Sequence, residues 1–183
     1  MQNDKWLLIC LDTAYVDFDI DGAQVDWVTK LVAGAGARNV LLFSHHQPFS
    51  QLDSQGPKVQ TALSALLASQ RVHAWFFGHE HRLVLYEAHS KWGLKARCIG
   101  NGGFPSFRDD LSGGRPNQTQ WIKLSAKPGV PAAEILDGPN PFVTDDPERY
   151  SPHGFLTLDF SGIQVFETYY APDGKTVRPR AQL

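Results

Sequence analysis

The chain has 183 residues, with 17 Lys+Arg against 19 Asp+Glu, a formal charge of 17 − 19 = −2. That length fits one domain able to bury roughly 70% of its unfolded surface, and 42% apolar with 20% charged residues excludes a disordered chain. The near-neutral balance carries no nucleic-acid-binding signature, and no apolar run nears the ~20 residues that cross a bilayer.

Trp6-Leu7-Leu8-Ile9-Cys10-Leu11 is a continuous apolar run, the mark of a strand buried on both faces. Asp21 then offers an N-cap oxygen, with Gln24 placed to return the bond, and Val25, Val28 and Val32 recur at helical spacing until Gly34 and Gly36. Val40-Leu41-Leu42-Phe43 reads as a second buried strand. Pro57 fits the first turn of a helix whose apolar positions are Val59, Ala62, Leu63, Leu66 and Leu67. Residues 72–77 give a third strand. Short helical crossovers of this kind make the strands parallel.

The texture changes after residue 81. Residues 83–88, 94–99 and 121–124 read as short strands, while 102–118 and 127–152, rich in Gly, Pro, Asn and Asp, read as long loops. Two final strands, 154–160 and 163–170, flank the hairpin signal Ser161-Gly162. The expected fold class is α/β, a parallel βαβαβ half (residues 1–81) followed by antiparallel strands with long loops (residues 82–183). Cys10 and Cys98 both sit in apolar runs and are expected to be buried reduced thiols. Residues 1–5 are polar and no signal peptide is visible, so a cytoplasmic protein is expected.

Two of the three parallel strands run straight into histidine. Phe43 is followed by Ser44-His45-His46-Gln47-Pro48, and Phe77 by Gly78-His79-Glu80-His81. Neighbouring parallel strands end on one edge of the sheet, about 5 Å apart, and ligands of open α/β sheets sit outside that edge. His45 or His46, His79 and His81 are therefore expected around one point, where neutral imidazoles would hold a divalent metal. An extended backbone through His79-x-His81 would send both rings to one face, about 6–7 Å apart. Asp12 is expected in an outer position, and Glu80 as a surface carboxylate pointing away. The segment 102–108 is an aromatic loop with one cation, Arg108. It is expected either to touch a substrate's organic group and phosphate or to cover the end of the sheet.

These motifs resemble those of the calcineurin-like metallophosphoesterase superfamily, in which a histidine closing one strand, often near a proline, is followed by Gly-His-x-His closing the next. Leu11-Asp12-Thr13-Ala14, residues 24–27, Gly100-Asn101-Gly102-Gly103 and the hairpin segment 154–159 are also similar to bacterial members. The resemblance implies half of a four-layer αββα sandwich, a phosphoester substrate and divalent ions (Mn, Zn or Fe). It also implies that His79 with His45 or His46 holds one ion and His81 a second.

The family's earlier motifs, Asp-x-His, Gly-Asp-x-x-Asp and Gly-Asn-His-Asp/Glu, do not occur in the sequence. Without a bridging carboxylate two cations repel each other, so at most one ion and little or no phosphoesterase activity are expected of this chain by itself. The chain would be a carboxyl-terminal portion of such a domain, with a natural half-domain or degenerate relative used as a binding or scaffold module as the alternative. An unrelated α/β protein is a third reading. A partial sheet would expose the edge at residues 6–11, a place for an oligomer contact or a missing-half partner.

Overall fold

The computed structural model describes residues 1–13, 18–54, 56–108 and 114–183. The three apolar runs form β1 (Trp6–Leu11), β2 (Asn39–Ser44) and β3 (Val72–Phe77), parallel and side by side, with Leu8 opposite Leu41 and Leu42 opposite Trp75. Their crossovers are α1 (Gly22–Ala33) and the pair α2 (Pro57–Ala62) and α3 (Ser64–Ala68). All three helices lie on one face, where Val28, Val32, Val59, Leu66 and Leu67 join Leu7, Ile9, Leu42, Trp75 and Phe77 in a single buried cluster.

The sheet grows past β3 out of chain order. β4 (Leu83–Ala88) is skipped, and β5 (Lys95–Ile99) pairs directly with β3 in parallel. β4 then pairs antiparallel with β5, followed by β7 (Ala133–Asp137) and β6 (Gln120–Leu124), for the order β1-β2-β3-β5-β4-β7-β6. A separate antiparallel sheet, β10-β9-β8, is built from β8 (Phe155–Ser161), β9 (Gln164–Tyr170) and β10 (Thr176–Gln182). It packs on the face away from the helices: Val165 and Leu183 meet Trp6, Leu41, Ala74 and Phe76, and Tyr169 meets Leu83, Leu85 and Leu136. The Arg97 guanidinium of β5 grips the Glu167 carboxylate of β9 at 2.9 and 3.0 Å, tying the sheets together. The fold is thus α/β, a mixed seven-stranded sheet between helices and an antiparallel sheet.

Several expectations change. The helix over residues 57–67 is two pieces, because the backbone at Leu63 leaves the helical region (φ −96°, ψ 14°). Thr61 Oγ1 donates back to Pro57 O at 2.7 Å, a bond that bends helices. β7 lies inside an expected loop, hidden by its flanking Gly and Pro residues. β10 was not foreseen; it contains Pro179, which an edge strand tolerates. The hairpin turn is Gly162-Ile163, one residue later than read, with Ser161 facing Gln164 and Gly162 at φ +59°. Cys98 is buried but Cys10 is exposed. No helix among the described residues is long and apolar enough to cross a membrane.

The edge at β1 is less open than expected. Leu8 exchanges hydrogen bonds with Met1 at 2.8 and 2.9 Å, Asn3 closes both backbone groups of Trp6, and the Gln24 amide donates to Asp12 O and accepts from Asp12 N at 2.9 and 2.7 Å. Asp21 caps α1 as expected, accepting from Gln24 N at 2.9 Å, but the Gln24 side chain is spent on the end of β1 instead of on Asp21. What stays open is a hollow of about 710 Å³ lined by Leu8, Cys10, Trp27, Leu31 and Phe43 among others.

Candidate metal centre

Because β2 and β3 are parallel neighbours, the two histidine segments leave the sheet together. The carbonyl of His45 accepts from the N–H groups of both Gly78 (3.0 Å) and His79 (2.9 Å), which locks one segment onto the other. The ring centroids of His45, His46 and His79 lie 4.5–5.1 Å apart, and one nitrogen from each lies within 4.8 Å of the others. The sequence left His45 and His46 as alternatives; the fold brings in both.

The contacts at each ring select its donor atom. His46 Nδ1 is 3.2 Å from Thr13 Oγ1, which also accepts from the His46 N–H at 2.9 Å, so Nε2 is the nitrogen left for an ion. His79 Nδ1 faces His45 Nε2 at 3.1 Å, while its Nε2 faces Asp53 Oδ2 at 3.7 Å. Zinc–nitrogen bonds of about 2.0–2.1 Å in tetrahedral geometry put ligand nitrogens about 3.3 Å apart, close to the 3.1 Å contact. Thr13 and Asp53 occupy the outer positions from which hydroxyls and carboxylates orient metal-binding imidazoles. A three-imidazole donor set of this spacing fits one divalent transition ion.

His81 does not join the group. Its N–H donates to Gly78 O at 3.1 Å and its backbone is left-handed at φ +51°. Residues 78–81 thus form a turn instead of the extended run that would have aligned both rings. The His81 ring instead rests 4.7 Å from that of Phe104.

Burial keeps His46 and His79 toward the neutral form. Burial, followed by the neighbouring His79 and His45, holds the His46 ring below its usual pKa. Burial and His45 do the same to His79, with Asp53 opposing, and burial, His45 and Arg82 lower His81. Neutral imidazole is the metal-binding form, so an ion taken up by His46 and His79 would displace few protons at neutral pH.

Glu80, expected as a surface carboxylate, has its carboxylate inside the protein. Both carboxylate oxygens are out of solvent without a hydrogen bond among the described residues. Burial raises its pKa to about 7, with the Ser50 hydroxyl and Cys98 thiol easing the shift. Gln47, fully buried beside His46, also has both amide atoms unpaired among the described residues.

Arg108, expected at a substrate or over the end of the sheet, is held inside the fold. Its guanidinium is buried and donates to Asp137 Oδ1 and Oδ2 at 2.9 and 3.2 Å, to Pro116 O at 2.6 Å and to Glu148 O at 3.2 Å. Those four bonds pin the expected loop to the end of β7 and engage four of the five guanidinium N–H groups.

Asp12 is fixed through its backbone by Gln24. Sequence reading missed Asp53 and the role of Thr13. The trace of Asp53 was Ser50-x-x-Asp53 just after the double histidine: Ser50 Oγ accepts from the N–H groups of Leu52 and Asp53, both at 2.7 Å, and so turns Asp53 back toward His79.

No protein-family model matches the sequence, and no curated protein does. Among solved structures, the fold resembles one described as "GAP50 the anchor in the inner membrane complex of Plasmodium", with a TM-score of 0.55 at 10% identity, over 97% of this chain and 49% of that one. The chain therefore spans about half the length of that structure, and at this identity the likeness is one of fold.

Proposed function

We propose that His45, His46 and His79 hold one divalent transition-metal ion, and that this chain is the histidine-bearing part of a metal-dependent phosphoester hydrolase of the metallophosphoesterase type. The observation that carries the reading is the meeting of three imidazoles, from two segments 34 residues apart, with a 3.1 Å contact between donor nitrogens. The two histidine motifs, each closing a parallel strand, support the choice of phosphoester chemistry. In this reading the helices and two sheets are three layers of a four-layer sandwich, and other carboxylate ligands come from outside residues 1–183.

When bound, the ion would act as a Lewis acid toward phosphoryl oxygens and lower the pKa of a coordinated water. The chain's own residues do the positioning. His45 offers Nε2, His46 offers Nε2 with Thr13 against its other nitrogen, and His79 offers Nδ1 with Asp53 behind it. Phosphoester cleavage by the pure chain should be slow or absent, since among the described residues no carboxylate joins the group of three.

Equilibrium titration with Zn(II) and Mn(II), read by calorimetry with metal analysis of the dialysed protein, tests the proposal. One ion per chain is expected, with binding lost in His79→Ala. Stoichiometric binding that persists in that variant would place the metal elsewhere.

A second reading, a binding or scaffold module without turnover, is favoured by the half-length match to an anchor protein's fold. Metal-dependent hydrolysis of an aryl phosphate by the full chain separates the two.

A further inference from the structure

Two exposed phenyl rings stand against the histidines. Phe18 lies edge-on to His46 at 4.9 Å and tilted to His79 at 5.8 Å, yet is 42% exposed. Phe104 lies 4.7 Å from His81 and is 67% exposed. Neither belongs to a buried apolar cluster of the fold. Single exposed aromatics are ordinary on protein surfaces; here one touches two rings of the three-histidine group, and the other touches His81 on the turn that also carries His79.

Phe18 has a left-handed backbone at φ +60°, as does His81 at +51°, a conformation disfavoured for bulky residues and associated with functional sites. Phe104 stands on a pinned loop. Arg82 donates to Ser106 Oγ and Phe107 O as well as to His81 O, Ser151 N–H donates to Ser106 O at 2.9 Å, and Arg108 N–H to Arg149 O at 2.9 Å. The guanidinium of Arg82 thus couples the loop carrying Phe104 to the turn carrying His79 and His81.

We infer that Phe18 and Phe104 form a recognition site for a planar ring on the alcohol side of a phosphoester, so that the ligand class is an aryl or heteroaryl phosphate and not an alkyl phosphate. The inference rests on the reading that the histidines hold a divalent ion, which would fix the phosphoryl group at the cluster. A ring one or two bonds from that group comes within reach of the two phenyls, and offset or edge-to-face contact with an aromatic group favours it over an aliphatic one of similar size.

The test uses the full chain loaded with Co(II), whose visible absorption reports a ligand entering the metal's shell. Phenyl phosphate, methyl phosphate and inorganic phosphate are titrated separately. Wild type should bind phenyl phosphate about tenfold more tightly than methyl phosphate. Phe104→Ala and Phe18→Leu should each cut that ratio about threefold and together bring it near one, while affinity for inorganic phosphate holds. Phe104 sits on an exposed loop tip, so that variant folds even if the other is damaged. Equal binding of the two esters by wild type, or a ratio untouched by either substitution, overturns the inference and leaves the metal reading standing. Absence of histidine-dependent Co(II) bands overturns both.

Discussion

The β-carbon that Gly100 lacks would sit 1.7 Å from the carbonyl oxygen of Gly78. The loop leaving β5 lies directly on the turn that carries His79 and His81, backbone against backbone, and the same position is 2.9 Å from His81 N. Gly100→Ala should therefore push the histidine turn off its seat, lowering stability by about 1–3 kcal/mol and weakening metal binding in the folded fraction. Gly102→Ala, where nothing lies within 4 Å, is the control and should be neutral. Urea denaturation with a parallel metal titration reads both effects.

The cluster itself predicts an asymmetry between two histidines of one motif. His79→Ala should abolish Zn(II) binding, whereas His81→Ala, whose ring stands on Phe104, should leave affinity within about twofold. Equal losses would mean that the turn at residues 78–81 opens when metal arrives and His81 swings in.

Outer-position residues should show a graded effect. Asp53→Asn keeps the shape of the side chain but removes the charge behind His79 Nε2, and Thr13→Val removes the oxygen against His46 Nδ1. Each should weaken Zn(II) binding about 10–100-fold without unfolding the protein, measured by competition with a chelator of known affinity.

The pH response has two arms of opposite sign. His46, His79 and His81 have folded pKa values below the usual 6.5, so the folded state binds fewer protons than the unfolded one. Their contribution is complete above pH 6.5 and is lost, with the metal, as pH falls through the lowered values. Glu80 runs the other way: raised from 4.5 to about 7, it contributes most below pH 4.5 and its contribution is lost as pH rises through 7. Glu80→Gln should therefore gain stability relative to wild type between pH 5 and pH 8, by up to about 3 kcal/mol. Denaturation midpoints at the two pH values provide the check.

Removing the buried guanidinium of Arg108 should act on the fold and not on the ligand. Arg108→Ala strands Asp137 and should destabilise the chain by about 3–5 kcal/mol, and Arg108→Lys should not rescue it, since the paired contact needs a planar fork. Phosphate affinity of the Co(II)-loaded folded protein should be unchanged.

The parallel half of the fold was legible because its signals are local and redundant. The runs of β1, β2 and β3 are apolar on both faces, as buried central strands must be, and Asp21 caps α1 as its residue type suggests. β7 and β10 were not legible, since five residues between Gly and Pro, or a strand containing Pro179, carry no periodic signal that outweighs the turn residues. At the site, the convergence of His45, His46 and His79 followed from strand direction alone. The position of His81 did not, because it depends on a left-handed residue closing a turn, and extended and turned backbones are equally compatible with Gly-His-x-His. Arg108 read as a loop cation because its partner Asp137 lies 29 residues away, on a strand that the sequence did not reveal. Glu80 misled for a related reason, as burial of an isolated carboxylate leaves no mark in sequence.

The carbonyl of His45, shared between the amides of Gly78 and His79, fastens the two ligand-bearing segments through main-chain atoms alone. On the proposed reading the socket would exist before its ion arrives, unlike a zinc finger, whose chain folds only around the metal. Those two amide protons should resist deuterium exchange in chelator-treated protein as strongly as the strands beneath them. Binding of an ion there would need no prior ordering of the loops, which would keep the entropic penalty of capture low and let the ion come and go without disturbing the rest of the molecule.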